Sequence, residues 1–122
     1  MSRGPILIVD DDAAIRQTVA EVLTLEEYAV ATAPNGVEAL AAVARQRPGL
    51  VLLDMRMPIL DGWGFARALK ERNIALPILV MTAAQDSEHW AEEVGAAGYL
   101  AKPFDLAELL EAVESLYGPS ES

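Results

Sequence analysis

The chain has 122 residues, 52% hydrophobic and 23% charged, with 19 acidic against 9 basic side chains and a formal charge of −10. That charge argues against direct contact with nucleic-acid phosphate or an anionic membrane and suits a divalent cation or a basic protein surface. The absence of cysteine excludes a disulfide framework and a thiolate metal site, and no apolar run is long enough for a signal peptide or membrane span, so a single cytoplasmic domain is expected.

Ile6-Leu7-Ile8-Val9 is an unbroken apolar run, the mark of a strand buried on both faces of a parallel sheet. It ends in Asp10-Asp11-Asp12, and Ile15, Val19, Val22 and Leu23 then recur at helical spacing,. Asp11 or Asp12 is placed to cap that helix. A cap needs one acid; three adjacent carboxylates repel, so a positive charge is expected beside them.

Tyr28 to Thr32 reads as a short strand with weaker alternation, suited to a sheet edge. Pro34-Asn35-Gly36 turns the chain, and Val37, Leu40, Ala41 and Ala44 mark a second helix closed between Arg45 and Gly49,. The second buried run, Leu50-Val51-Leu52-Leu53, stops at Asp54, and Pro58 bars the ladder from continuing,. Asp61-Gly62 marks the turn or cap before a helix from Trp63 to Arg72, with Phe65, Ala66 and Leu69 inward. Pro77 to Met81 is another buried strand, with Thr82 at its end. A loop from Ala83 to Asp86 should lead to a short helix, Ser87 to Val94, ended by Gly95. Gly98 to Ala101 is a last strand finishing at Lys102-Pro103, and Asp105 caps a helix carrying Leu106, Leu109, Leu110, Val113 and Leu116 on one face,.

Five strands alternating with five helices, joined by right-handed crossovers, give a doubly wound α/β fold. Its five-stranded parallel sheet is expected in the order 2-1-3-4-5, a flavodoxin-like arrangement. Residues 1–118 form the domain, and 119–122 are a tail, either a natural end or a truncated linker.

Open α/β sheets bind ligands beyond the strands' carboxyl ends. There the strands deliver Asp10 and Asp11, then Asp54, Thr82 and Lys102. Each has a bland reading as a turn residue or surface charge; five on one rim make a phosphoryl-transfer kit. Carboxylates hold Mg²⁺ or Mn²⁺, the cation and Lys102 neutralise a phosphoryl group in transit, and Thr82 donates to one of its oxygens. Asp54, alone on the central strand, is the best nucleophile. Asp12, Asp61, Asp86 and Asp105 are assigned to caps and turns, and Glu108, Glu111 and Glu114 to a wet helix face. Trp63 and Trp90 are expected as half-buried helix anchors, with Trp90 and Val94 alternatively an apolar patch, and His89 is expected in solvent.

The pieces Ile-Leu-Ile-Val-Asp10-Asp11, Leu-Leu-Asp54-Met-Arg-Met-Pro58-Ile-Leu-Asp61-Gly62, Val-Met-Thr82-Ala83 and Gly98-Tyr99-Leu-Ala-Lys102-Pro103-Phe104-Asp105 resemble the receiver domain of bacterial two-component response regulators, from about Pro5 to Tyr117. The resemblance implies that Asp54 takes a phosphoryl group from a sensor histidine kinase. It implies a metal held by Asp10, Asp11, Asp54 and the backbone carbonyl of Arg56, and Lys102 paired with the phosphoryl group or with Asp54. It further implies that Thr82 moves inward, that Tyr99 swings from exposed to buried, and that the Lys102–Pro103 peptide is cis. Partners would be the kinase and an output domain or downstream protein, with homodimerisation on phosphorylation, and the only reaction catalysed would be on the domain itself. The spacing from Thr82 to Gly95 is shorter than the family's commonest, which predicts a stubby fourth helix. Arg56 and Ala84 occupy positions that tune phosphate lifetime in the family; Ala84 has no group to orient water and Arg56 would cover the phosphoryl group or pair with its oxygens, so slow self-dephosphorylation is expected.

Other classes fit less well. An Asp-nucleophile phosphohydrolase needs a second Asp where Arg56 stands, and a substrate cap. A flavin carrier needs a phosphate-cradling loop where Asp10-Asp11-Asp12 would repel. A phosphate-independent pseudo-receiver has no use for the full set.

Overall fold

A computed structural model describes residues 3–118, and the expected tail at 119–122 lies outside them. Five strands and five helices alternate. They are β1 (Ile6–Val9), α1 (Ala13–Leu25), β2 (Val30–Ala33), α2 (Gly36–Arg45), β3 (Leu50–Asp54), α3 (Gly62–Glu71), β4 (Ile78–Ala83), α4 (Ala84–Val94), β5 (Gly98–Lys102) and α5 (Leu106–Tyr117). All pairings are parallel and the sheet order is β2-β1-β3-β4-β5, as the alternation predicts.

Side chains alternate across a strand, and here both faces are covered. Leu7, Val9, Val51, Leu53, Ile78 and Val80 pack with Phe65 and Leu69 of α3, Val43 of α2 and Ala91 of α4. Ile6, Ile8, Leu50, Leu52, Leu79 and Met81 pack with Val19 and Leu23 of α1 and Leu109 and Val113 of α5. Two layers of helix explain why the central strands are apolar at every position rather than at every second one. Among the described residues no helix is long and apolar enough to cross a membrane.

Helix starts follow cap chemistry. Asp12 accepts from the N–H groups of Ala14 and Ile15, Asn35 from Glu38, and Asp61 from Gly64. Asp105 and Glu108 form a reciprocal capping box,. Helix α4 differs: it begins directly after β4, with Ala83 at its N-cap and no side-chain cap.

Several sequence expectations need correction. Helix α4 is not stubby; it runs 11 residues from Ala84, and the loop expected at Ala83–Asp86 is absent: Ala83 ends β4 and residues 84–86 are helix, with Asp86 in its first turn. The backbone passes from strand into helix without a turn signal, so the sequence gives no stop to read. Strand β2 begins at Val30 rather than Tyr28, because the Tyr28 N–H is used to close the end of α1 on the Leu23 carbonyl at 3.0 Å. Helix α2 buries Ala39, Ala42 and Val43, whereas Val37, Ala41 and Ala44 face outward. Small residues suit this face since α2 lies tight on the β3–α3 loop: a Cβ on Gly36 would fall 2.6 Å from the Leu60 carbonyl oxygen.

Candidate functional site at the sheet's carboxyl edge

The register sets the site. Val9 pairs with Leu53 and Asp54 with Met81, so Asp10, Asp54 and Thr82 leave adjacent strands at nearly one level. Lys102 closes the row on β5, opposite Ala83. Carboxylate oxygens of Asp10, Asp11 and Asp54 lie within 4.8 Å of one another. Asp10 is fully buried, Asp54 is 7% exposed and Thr82 is also buried, while Asp11 is open to solvent.

The positive charge expected beside the acids is present twice. Lys102 Nζ is 2.9 Å from Asp10 Oδ2 and 3.8 Å from Asp54 Oδ1, so its nearer partner is Asp10. Arg16, one turn into α1, donates from Nη1 to the Asp10 backbone carbonyl at 2.7 Å, and the Asp12 N–H donates to Asp10 Oδ1 at 2.9 Å. The acidic turn is thereby fixed from both sides. Arg16 escaped the sequence reading, although its place one turn into the helix after the acids puts its reach over their backbone.

The two cations do not neutralise the pocket. The Asp54 carboxyl is pushed up to about 7, first by burial, then by the Asp10 charge, with Lys102 opposing and Asp11 adding to the rise; the Arg56 backbone N–H bonded to the carboxylate pulls it down. A pocket that raises a carboxyl in this way favours any cation entering among the three acids. Oxygen-only donors, one of them exposed, suit a hard divalent ion that keeps part of its water. The donor set therefore fits Mg²⁺.

The loop after Asp54 is folded back. The Gly62 N–H donates to the Met55 carbonyl at 2.9 Å, and only glycine permits this approach, as a Cβ there would lie 2.8 Å from Met55 Cα. At its tip the Leu60 N–H donates to the Pro58 carbonyl at 2.8 Å, a γ-turn with Ile59 at φ 72°. A β-branched residue is unusual in that region, and Ile59 is 80% exposed.

Other residues singled out from the sequence are spread from this rim along α4 and β5. The Lys102–Pro103 peptide is cis. Tyr99 is 47% exposed on β5. Ala84 is the first, exposed residue of α4. His89 is in solvent, 3.8 Å from Glu93. The Arg56 guanidinium is not on the carboxylates; it lies over the Trp90 ring, 5.1 Å from its centroid. Trp90 meets Trp63 edge-on at 4.8 Å, and the Trp63 indole N–H donates to Glu93 at 3.1 Å. On the far side of Lys102, an apolar groove of about 520 Å³ opens between Ile15 and Thr18 of α1 and Pro103, Phe104 and Leu106.

Comparison with known proteins agrees with this geometry. Residues 6–114 match the response regulator receiver domain. The chain is 47% identical over 113 residues to a response regulator, MprA, of Mycobacterium leprae, covering 91% of this chain and 50% of that protein. It is 45% identical over 113 residues to MprA of Mycobacterium avium, covering 91% and 50%. The chain thus spans about half the length of the curated relatives it matches. Among solved structures, the Vibrio cholerae chemotaxis response regulator CheY4 superposes with TM-score 0.84 at 33% identity, over 94% of this chain and 99% of that one. The receiver domain of Brucella abortus NtrX gives TM-score 0.84 at 32% identity, over 92% and 97%.

Proposed function

The chain belongs to the response regulator receiver domain family, and from that membership we propose that Asp54 accepts a phosphoryl group from the phosphohistidine of a sensor histidine kinase. The single observation that carries the reading is the gathering of Asp10, Asp11 and Asp54 oxygens within 4.8 Å of one another, with Lys102 spanning two of them.

In the step itself an Asp54 carboxylate oxygen attacks phosphorus as the bond to the donor imidazole breaks, and the leaving nitrogen takes the electron pair. A magnesium or manganese ion held by Asp10, Asp11, Asp54 and the Arg56 carbonyl would supply positive charge to the phosphoryl oxygens and favour ionised Asp54. Lys102, already beside both Asp10 and Asp54, contributes a second, fixed positive charge next to the acceptor. Thr82, buried one residue beyond the Asp54–Met81 pair, donates its hydroxyl to a phosphoryl oxygen, and Tyr99 follows from its exposed place toward the space Thr82 leaves. The apolar groove beside Lys102 gives a protein donor a surface to lie on while its imidazole reaches Asp54. The chemistry is confined to the domain, and an output module or separate protein reads the result, directly or through a phosphorylated homodimer.

Acetyl phosphate with Mg²⁺ tests the acceptor without a kinase. The intact mass should gain one phosphoryl group in the native chain and none in Asp54→Asn. An equal gain in Asp54→Asn would overturn the assignment.

A further inference from the structure

Arg56 is tied to the acceptor and to α4 at once. Its backbone N–H acts on the Asp54 carboxyl, pulling its pKa down, while its guanidinium lies over Trp90, 5.1 Å from the ring centroid. Trp90 is itself held: its ring meets Trp63 of α3 edge-on at 4.8 Å, and Trp63 is fixed by its N–H to Glu93, one turn further along α4. The guanidinium therefore rests on a ring that is locked between two helices, beside an acidic pocket walled by Asp11, Met57, Asp61 and Trp63.

We propose that Trp90 is a positioning residue for the acceptor: its ring stores the Arg56 guanidinium beside the pocket until a phosphoryl group on Asp54 draws it off, writing the state of Asp54 onto the α3–α4 face. This rests on Asp54 being the phosphoacceptor. The balance of interactions favours the transfer. A guanidinium on an exposed aromatic face gains a factor of roughly two to five in occupancy. Charge-assisted, bidentate hydrogen bonds from the same group to phosphoryl oxygens gain a factor of about ten to a hundred. Without phosphate Lys102 offsets part of the charge of Asp10 and Asp54, and the ring wins. With phosphate, about two negative charges arrive two residues from the Arg56 Cα, and the ring loses. Trp90 is then bared on a surface that includes the groove between α3 and α4 lined by Arg67, Lys70, Glu92 and Glu93.

The chain has two tryptophans, so indole N–H signals in two-dimensional NMR separate them, and acrylamide quenching reads their exposure. The probe is beryllofluoride, a stable phosphoryl mimic, added to the full chain with Mg²⁺ and compared with Mg²⁺ alone; fluorine NMR reports whether the adduct forms. In the native chain the Trp90 indole signal should shift and quenching rise roughly twofold. In Arg56→Met, which keeps the backbone N–H and the apolar stem, quenching should begin at the raised value and stay there. An adduct with Trp90 unmoved, or an equal change in Arg56→Met, overturns the stored-guanidinium role and leaves the acceptor standing. No adduct in the native chain overturns both.

Discussion

Asp54 holds its proton to about pH 7 because it is buried next to Asp10, and that has a thermodynamic consequence. Below pH about 3.8 the folded and unfolded chains both keep this proton, so it has no effect on stability. As pH climbs from 3.8 to 7 the unfolded chain releases a proton that the fold retains, so stability falls with rising pH and the penalty is complete above 7,. Asp54→Asn removes the penalty: melting should rise at pH 8 by on the order of 2–4 kcal/mol of stability and stay unchanged at pH 4. Added Mg²⁺ should raise the native melting temperature more at pH 8 than at pH 5, where it competes with the proton. Lys102 has the opposite character. Its partner Asp10 is wholly buried, and a buried carboxylate stripped of its cation costs about 3 kcal/mol or more. Chemical denaturation of Lys102→Met should show that loss at pH 8, whereas in an Asp10→Asn background the same change should cost under about 1 kcal/mol. Equal costs in both backgrounds would mean that the ion pair does not hold Lys102 in place.

At the level of elements, helix α4 is the least secured. The other four helices start on an Asp or Asn side chain that accepts their first N–H groups, whereas α4 starts on Ala83. Ala83 has φ −58° and ψ 144°, an extended geometry that a serine cap adopts without strain. Ala83→Ser should slow amide hydrogen exchange over the first turn of α4 and add about 0.5–1 kcal/mol; unchanged exchange there would show that the first turn is already held. This weakly started element lies two residues after Thr82 and carries Trp90. The sequence hid the start of this helix, though not its end at Val94, because a missing cap leaves no sign, and Ala83, Ala84 and Gln85 favour no loop either. It hid the true face of α2 for a related reason: alanine-rich stretches carry two possible stripes, and the buried one is Ala39, Ala42 and Val43.

Over the whole molecule, what was legible follows from period and position. Unbroken apolar strands flanked by helical stripes can only be covered on both faces, which fixed the layers; the strand-end residues then fall on one rim because parallel strands share a direction. Asp10, Asp54, Thr82 and Lys102 were found this way, and the register places them side by side. The Arg16 contact with the Asp10 backbone and the stack of Arg56, Trp90 and Trp63 were not, because each joins residues whose separation along the chain has no period to reveal it. The central question is whether Asp54, rather than any of the other 18 acidic side chains, bonds to phosphorus. Borohydride reduction after treatment with acetyl phosphate and Mg²⁺, followed by peptide sequencing, reads this directly, as it converts an aspartyl phosphate into homoserine. Homoserine at position 54 alone, lost when EDTA replaces Mg²⁺, is the predicted result; homoserine at Asp10 or Asp11 instead, or an unchanged yield in EDTA, would contradict it.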